Sequence, residues 1–135
     1  MEVQKPVEKW LNLSLVSLLI VALLGTLMRY KIGFEFPFFE QKNIQHAHSH
    51  FAFSAWISQT IMVLMIHYLE KRGKPESFAN YNLLLWANLV CGYGMLVSFF
   101  IQGYGTVSII FSTASVLISF LFAFVFFGDL KSVQS

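Results

Sequence analysis

Four apolar runs, each about as long as a bilayer is thick, constrain this chain more than any other feature. They cover residues 11–28, 46–69, 81–101 and 106–127, and the charged residues gather between them. An α-helix rises ~1.5 Å per residue, so about 20 residues match a ~30 Å hydrocarbon core. Only 12% of the 135 residues are charged, about half the share usual for a soluble domain. The expected fold is therefore all-α: one integral membrane domain, residues 1–135, of four transmembrane helices packed as a bundle. A net charge of +2 gives no reason to expect nucleic acid, and a single cysteine, Cys91, excludes an intrachain disulfide.

The connections are distinct from one another. A short polar head with Lys5, Glu8 and Lys9 leads to Trp10, placed as an interfacial anchor. The first run exceeds a typical signal-peptide core and has no small-residue cleavage site before Arg29, so it reads as a retained anchor. Residues 32–44 form the longest predicted loop, with Phe34, Phe36, Phe38 and Phe39 set to lie at the headgroup layer or to cap the bundle. Residues 70–76, EKRGKPE, are the strongest break, because they combine charge with Gly73 and Pro75. A short uncharged turn, residues 102–105, joins the last two runs. Lys5, Lys9, Lys71, Arg72, Lys74 and Lys131 fall on one side of a four-span topology, and Arg29, Lys31 and Lys42 on the other. Six against three predicts both termini in the cytoplasm, with the protein in a bacterial inner membrane.

Small residues mark where helices approach in lipid. The fourth run carries Ser108, Ser112, Ser115, Ser119 and Ala123 at helical spacing, the third Ala87, Cys91, Gly94 and Ser98, and the first Ser14, Ser17 and Gly25. In the second, His50, Ser54 and Ser58 follow at i, i+4, which turns His50 toward other helices. Packing alone accounts for such stripes.

The polar exception is residues 45–56, QHAHSHFAFSAW, with three of the four histidines, His46, His48 and His50. In a helix His46 and His50 share a face about 40° apart, and His48 points nearly the opposite way. Two imidazoles at i, i+4 suit a shared ion, and one on the bundle face suits a haem iron. The plain alternative is three wet, unliganded rings at the interface. His67, about 25 Å along the same helix from His50, reads as a solvated end residue. Gln59 and Asn88 read as interhelical hydrogen-bonding groups or cofactor contacts, and Asn12, Asn82 and Gln102 as further polar positions. Arg29 and Lys31, on the side of the histidines, suit lipid phosphates or the propionates of a haem.

Met28-Arg29-Tyr30 closing one helix, then an outer loop, then a helix opening with residues 47–53, AHSHFAF, resembles the start of subunit I of haem–copper oxidases. The resemblance covers about residues 10–66. It implies a haem ligated near the outer, periplasmic face by His48 or His50, helical facing favouring His50, with Arg29 near the haem edge. The second axial histidine and the copper ligands of that family come from later helices without counterparts here. What is implied is thus a haem-binding, respiratory-type protein, either a fragment of a longer relative or a small protein that reuses the haem-facing hairpin, with other respiratory subunits or a second copy as partners besides the bilayer. Two further readings stay open: an outer-face Cu, Zn or Fe site built from His46, His50 and Glu40, and a structural subunit. A di-iron hydroxylase is not supported, since His46-x-x-x-His50 is the sole histidine box. A nucleophilic enzyme is not supported either, since no recognisable motif places a base beside a serine.

Overall fold

The computed structural model describes residues 5–35, 37, 40–103 and 105–134. Among them there is no strand. Four helical rods are each long and apolar enough to cross a membrane. The first is α1, Pro6–Gly33. The second is a continuous rod in three parts: α2, Gln41–Phe51, a π-helical segment, Ala52–Ser58, and α3, Gln59–Lys71. The third and fourth are α4, Ser77–Gln102, and α5, Thr106–Gln134.

All four rods outrun the apolar runs that predicted them. α1 opens with Pro6 in its first turn, where the missing N–H has no intrahelical partner to lose. Glu8 in that turn and Lys31 in the last oppose the partial charges at the two helix ends. At 28 residues α1 extends about 42 Å, more than the ~30 Å of hydrocarbon. The second rod begins at Gln41, so His46 lies within the helix and not at its mouth. The predicted 32–44 loop shortens accordingly. Phe34 is exposed and stacks on Tyr30, 4.9 Å between ring centres. Phe36, Phe38 and Phe39 lie outside the described residues.

The break expected at 70–76 is a helix terminus of defined chemistry. Gly73 has φ +114°, and the Lys74 N–H reaches back to the Leu69 carbonyl at 3.1 Å. This is the six-to-one bond of a Schellman motif, in which glycine carries the left-handed backbone without steric cost. Ser77 Oγ donates to the Lys74 carbonyl at 2.6 Å and starts α4.

The second rod and α4 form the middle of the bundle. α1 packs on the second rod, and α5 packs on α4 while grazing α3. Most of the core gathers toward one end, around Trp10, Leu69, Phe78, Tyr81 and Phe126. There Asp129 of α5 accepts from Tyr81 Oη at 2.5 Å and meets Lys74 Nζ at 3.3 Å. The start of α1, the 72–76 connection and the end of α5 therefore share one end. A smaller cluster of Ala47, Met95 and Phe99 lies toward the other. Outward faces carry Leu15, Leu23, Leu83, Phe120 and Phe124, an apolar exterior suited to lipid.

Candidate functional site

The three clustered histidines divide between two faces of α2. His48 turns toward α1: a Cβ on Gly25 would meet its Cε1 at 3.4 Å, so its ring lies against the bare backbone of α1. Its Nδ1 is buried and finds no hydrogen-bond partner among the described residues. His46 and His50 turn toward α4. The His50 ring stacks on Phe99 with centres 4.3 Å apart and planes within 11°. His46 lies 6.0 Å from Phe99 and 6.4 Å from His50, ring centre to ring centre. The division follows from helical spacing, which sets His46 and His50 one turn apart and His48 on the far side.

His50 also borders a lateral groove of about 370 Å³ between the second rod and α5. Ser49, Ser54 and Ser58 line one wall, Ser112, Ser115 and Ser119 the other, with Met95 of α4 between them and Phe53 and Val116 completing the lining. The small-residue stripes of two helices thus face each other across a gap that they do not close. Several hydroxyls are spent on their own helices: Ser49 donates to the Gln45 carbonyl at 3.0 Å, Ser54 to His50 at 2.8 Å and Ser119 to Ser115 at 3.0 Å. A serine bonded back in this way presents its methylene and its lone pairs. The walls are therefore narrow in side-chain volume and less polar than six hydroxyls suggest.

Beyond His50 the rod becomes π-helical, and a buried polar cluster bonds to it there. Asn88 Nδ2 of α4 donates to the Ser54 carbonyl at 3.0 Å and to Gln59 Oε1 at 2.8 Å. Gln59 Nε2 in turn donates to the Leu85 carbonyl at 3.3 Å. Both side chains are fully buried. The sequence marks Gln59 and Asn88 as interhelical bonding groups, which they are, and gives no sign of the π segment between the histidines and Gln59. One turn from Asn88, Gly92 meets the same segment: a Cβ there would lie 2.9 Å from Ala55 Cβ, closer than side chains pack.

The remaining candidates lie elsewhere. Arg29 is exposed on α1 and does not line the groove, and Glu40 is exposed at the cap of α2. Asn12, Asn82 and Gln102 are exposed. His67 is half-buried near the far end of the second rod, its Nδ1 3.7 Å from Glu70. Among the described residues no three His, Cys, Asp or Glu side chains converge as metal ligands would. Phe99 and Met95, which pack about the histidine face, escaped the sequence reading because an aromatic or a methionine in an apolar run carries no mark of its neighbour.

No family model, curated protein or solved structure matches this chain.

Proposed function

We propose that this chain is an integral membrane protein that holds a haem in the groove between its second and fourth helices, with His50 as the iron ligand. One observation carries the reading. The imidazole of His50 lies flat on Phe99 at the edge of a groove of about 370 Å³ whose far wall is a stripe of serines. A flat macrocycle needs width between helices, and small residues on both walls leave it. It also needs apolar contact, which Phe53, Met95, Val116 and the back-bonded serines offer. The residues present therefore fit the group, and the resemblance of residues 47–53 to oxidase subunit I points the same way. A histidine-ligated haem supplies one-electron chemistry. The chain's own part is to fix the ring plane of His50 by stacking and to limit water around it. Haem is favoured over a bound Cu, Zn or Fe ion because His46 and His50 have no third His, Cys, Asp or Glu beside them among the described residues, and structural zinc sites take four ligands.

Both termini are assigned to the cytoplasm by the excess of Lys and Arg at that end, which sets the His50 groove toward the outer face. The test is an absorption spectrum of the detergent-purified, haem-supplemented protein before and after dithionite, beside His50→Ala. A Soret band with sharp reduced bands, lost in the variant, is the expected result. A wild-type protein that stays colourless sinks the proposal.

A further inference from the structure

The second rod changes its helical period just beyond the residue that borders the groove, His50. His50 and Gln59 are nine residues apart. At about 100° per residue an uninterrupted α-helix would set them roughly 180° apart, on opposite faces. In the structure both meet the same helix: His50 lies on Phe99 of α4, and Gln59 donates to the Leu85 carbonyl of α4. The π-helical segment Ala52–Ser58 between them supplies the missing rotation. Within it the Gln59 N–H reaches the Ser54 carbonyl, five residues back, and each such turn admits one residue more than an α-turn.

A π segment holds less well than an α-helix of the same residues, so something external must select it. The residues themselves do not, since 52–58 reads AFSAWIS with neither Gly nor Pro. What selects it lies on α4. Asn88 bonds the Ser54 carbonyl inside the segment and the Gln59 side chain at its end. Ser54 Oγ in turn donates to the His50 carbonyl at 2.8 Å, which continues the chain of bonds to the histidine itself. Gly92 admits Ala55 closely enough for these bonds to form.

We infer that Asn88 is a positioning residue for His50: by clamping the π segment at Ser54 and Gln59 it sets the rotation at which His50 meets Phe99 and the groove. The functional meaning of that rotation rests on the haem reading, but the positioning itself does not. The test therefore begins on haem-free protein in detergent micelles, with histidine rings labelled for NMR and backbone amides followed by hydrogen exchange. Asn88→Leu keeps the volume and removes the donors. Gln59→Met, a milder change, removes one partner of Asn88 and leaves its bond to Ser54. Asn82→Leu, on the exposed face of α4, is the control.

In Asn88→Leu the amides of residues 54–59 are expected to exchange at least tenfold faster. The His50 ring resonances shift, while those of His67 stay in place. Gln59→Met shows the same changes at smaller size and decides the matter if Asn88→Leu does not fold, and Asn82→Leu shows neither. His50 resonances and exchange rates equal to wild type in every clamp variant that folds overturn the inference. Haem titration of the same proteins is read separately. With wild type that binds haem, Asn88→Leu is expected to bind at least fivefold more weakly or with shifted reduced bands. Wild type that binds no haem ends the haem reading and leaves the positioning to the apo measurements.

Discussion

At the scale of single residues, the useful distinction is between two histidines that are only two positions apart. His50 stacks on Phe99 and borders the groove, whereas His48 packs against Gly25 on the opposite side of α2. The sequence leaves both as candidate ligands, and the packing sets them on opposite faces of α2. On the haem reading, His48→Ala is accordingly expected to keep the haem absorption at saturating haem, while His50→Ala loses it. A haem spectrum lost in His48→Ala and kept in His50→Ala would move the site to the α1 side. Gly92 is the second residue whose identity is dictated by a neighbour. Its missing Cβ is what lets α4 approach Ala55. Gly92→Val forces the two helices apart, and overpacking of this kind destabilises by about 1–3 kcal/mol. Thermal unfolding in detergent should show the loss, together with faster amide exchange along residues 52–58.

At the scale of elements, the four helices were legible because hydropathy reports the hydrocarbon they would cross. Their ends were not. The extra turns at residues 6–10, 29–33 and 41–45 are polar or amphipathic, and helix beyond the apolar core leaves no hydropathy signal. The 70–76 break was legible because Gly73 and Pro75 act locally. The π segment was illegible for the opposite reason: its cause is Asn88, about thirty residues away on another helix. The site divides in the same way. The alignment of His50 with Ser54 and Ser58 could be read from spacing, but the gap left between their stripe and that of α5 is a property of packing. The element that ties the far end together makes a separate prediction. Tyr81 is buried and donates to Asp129, while the Lys74–Asp129 pair is partly exposed. Tyr81→Phe removes a bond to a charged acceptor and should lower stability by roughly 1.5–3 kcal/mol. Lys74→Ala should lower it by less than about 1 kcal/mol, since solvent screens such pairs. Equal losses in denaturant titrations would mean that the ion pair contributes as much as the tyrosine to holding α5 in place.

At the scale of the whole molecule, the arrangement is polarised. One end carries the larger core, the Tyr81–Asp129–Lys74 clasp and most of the basic residues, and the other carries His46, His48, His50 and the groove. An apolar exterior and a buried polar seam between the second rod and α4 suit a bundle solvated by lipid, in which interhelical hydrogen bonds and close small-residue contacts replace a hydrophobic driving force. The distribution of Lys and Arg along that axis bears on which compartment the groove would meet. Lys5, Lys9, Lys71, Arg72, Lys74 and Lys131 lie toward the clasp end, and Arg29, Lys31 and Lys42 toward the histidine end. Because Lys and Arg near helix ends resist translocation while acidic residues contribute little, the clasp end should stay in the cytoplasm. The orientation can be read by cysteine labelling that leaves the Lys and Arg count untouched. Cys91 is buried and is first removed as Cys91→Ala. Glu40→Cys and Glu76→Cys then place one exposed thiol at each end. A membrane-impermeant maleimide added to intact cells, with the outer membrane permeabilised where there is one, should label Glu40→Cys and spare Glu76→Cys, with the pattern reversed in inside-out vesicles. The opposite pattern would put His50 toward the cytoplasm and would place any electron donor to the groove there as well. Labelling of both thiols from one side would mean that the second rod, which lies between them, does not cross the bilayer, and the four-span topology would fall with it.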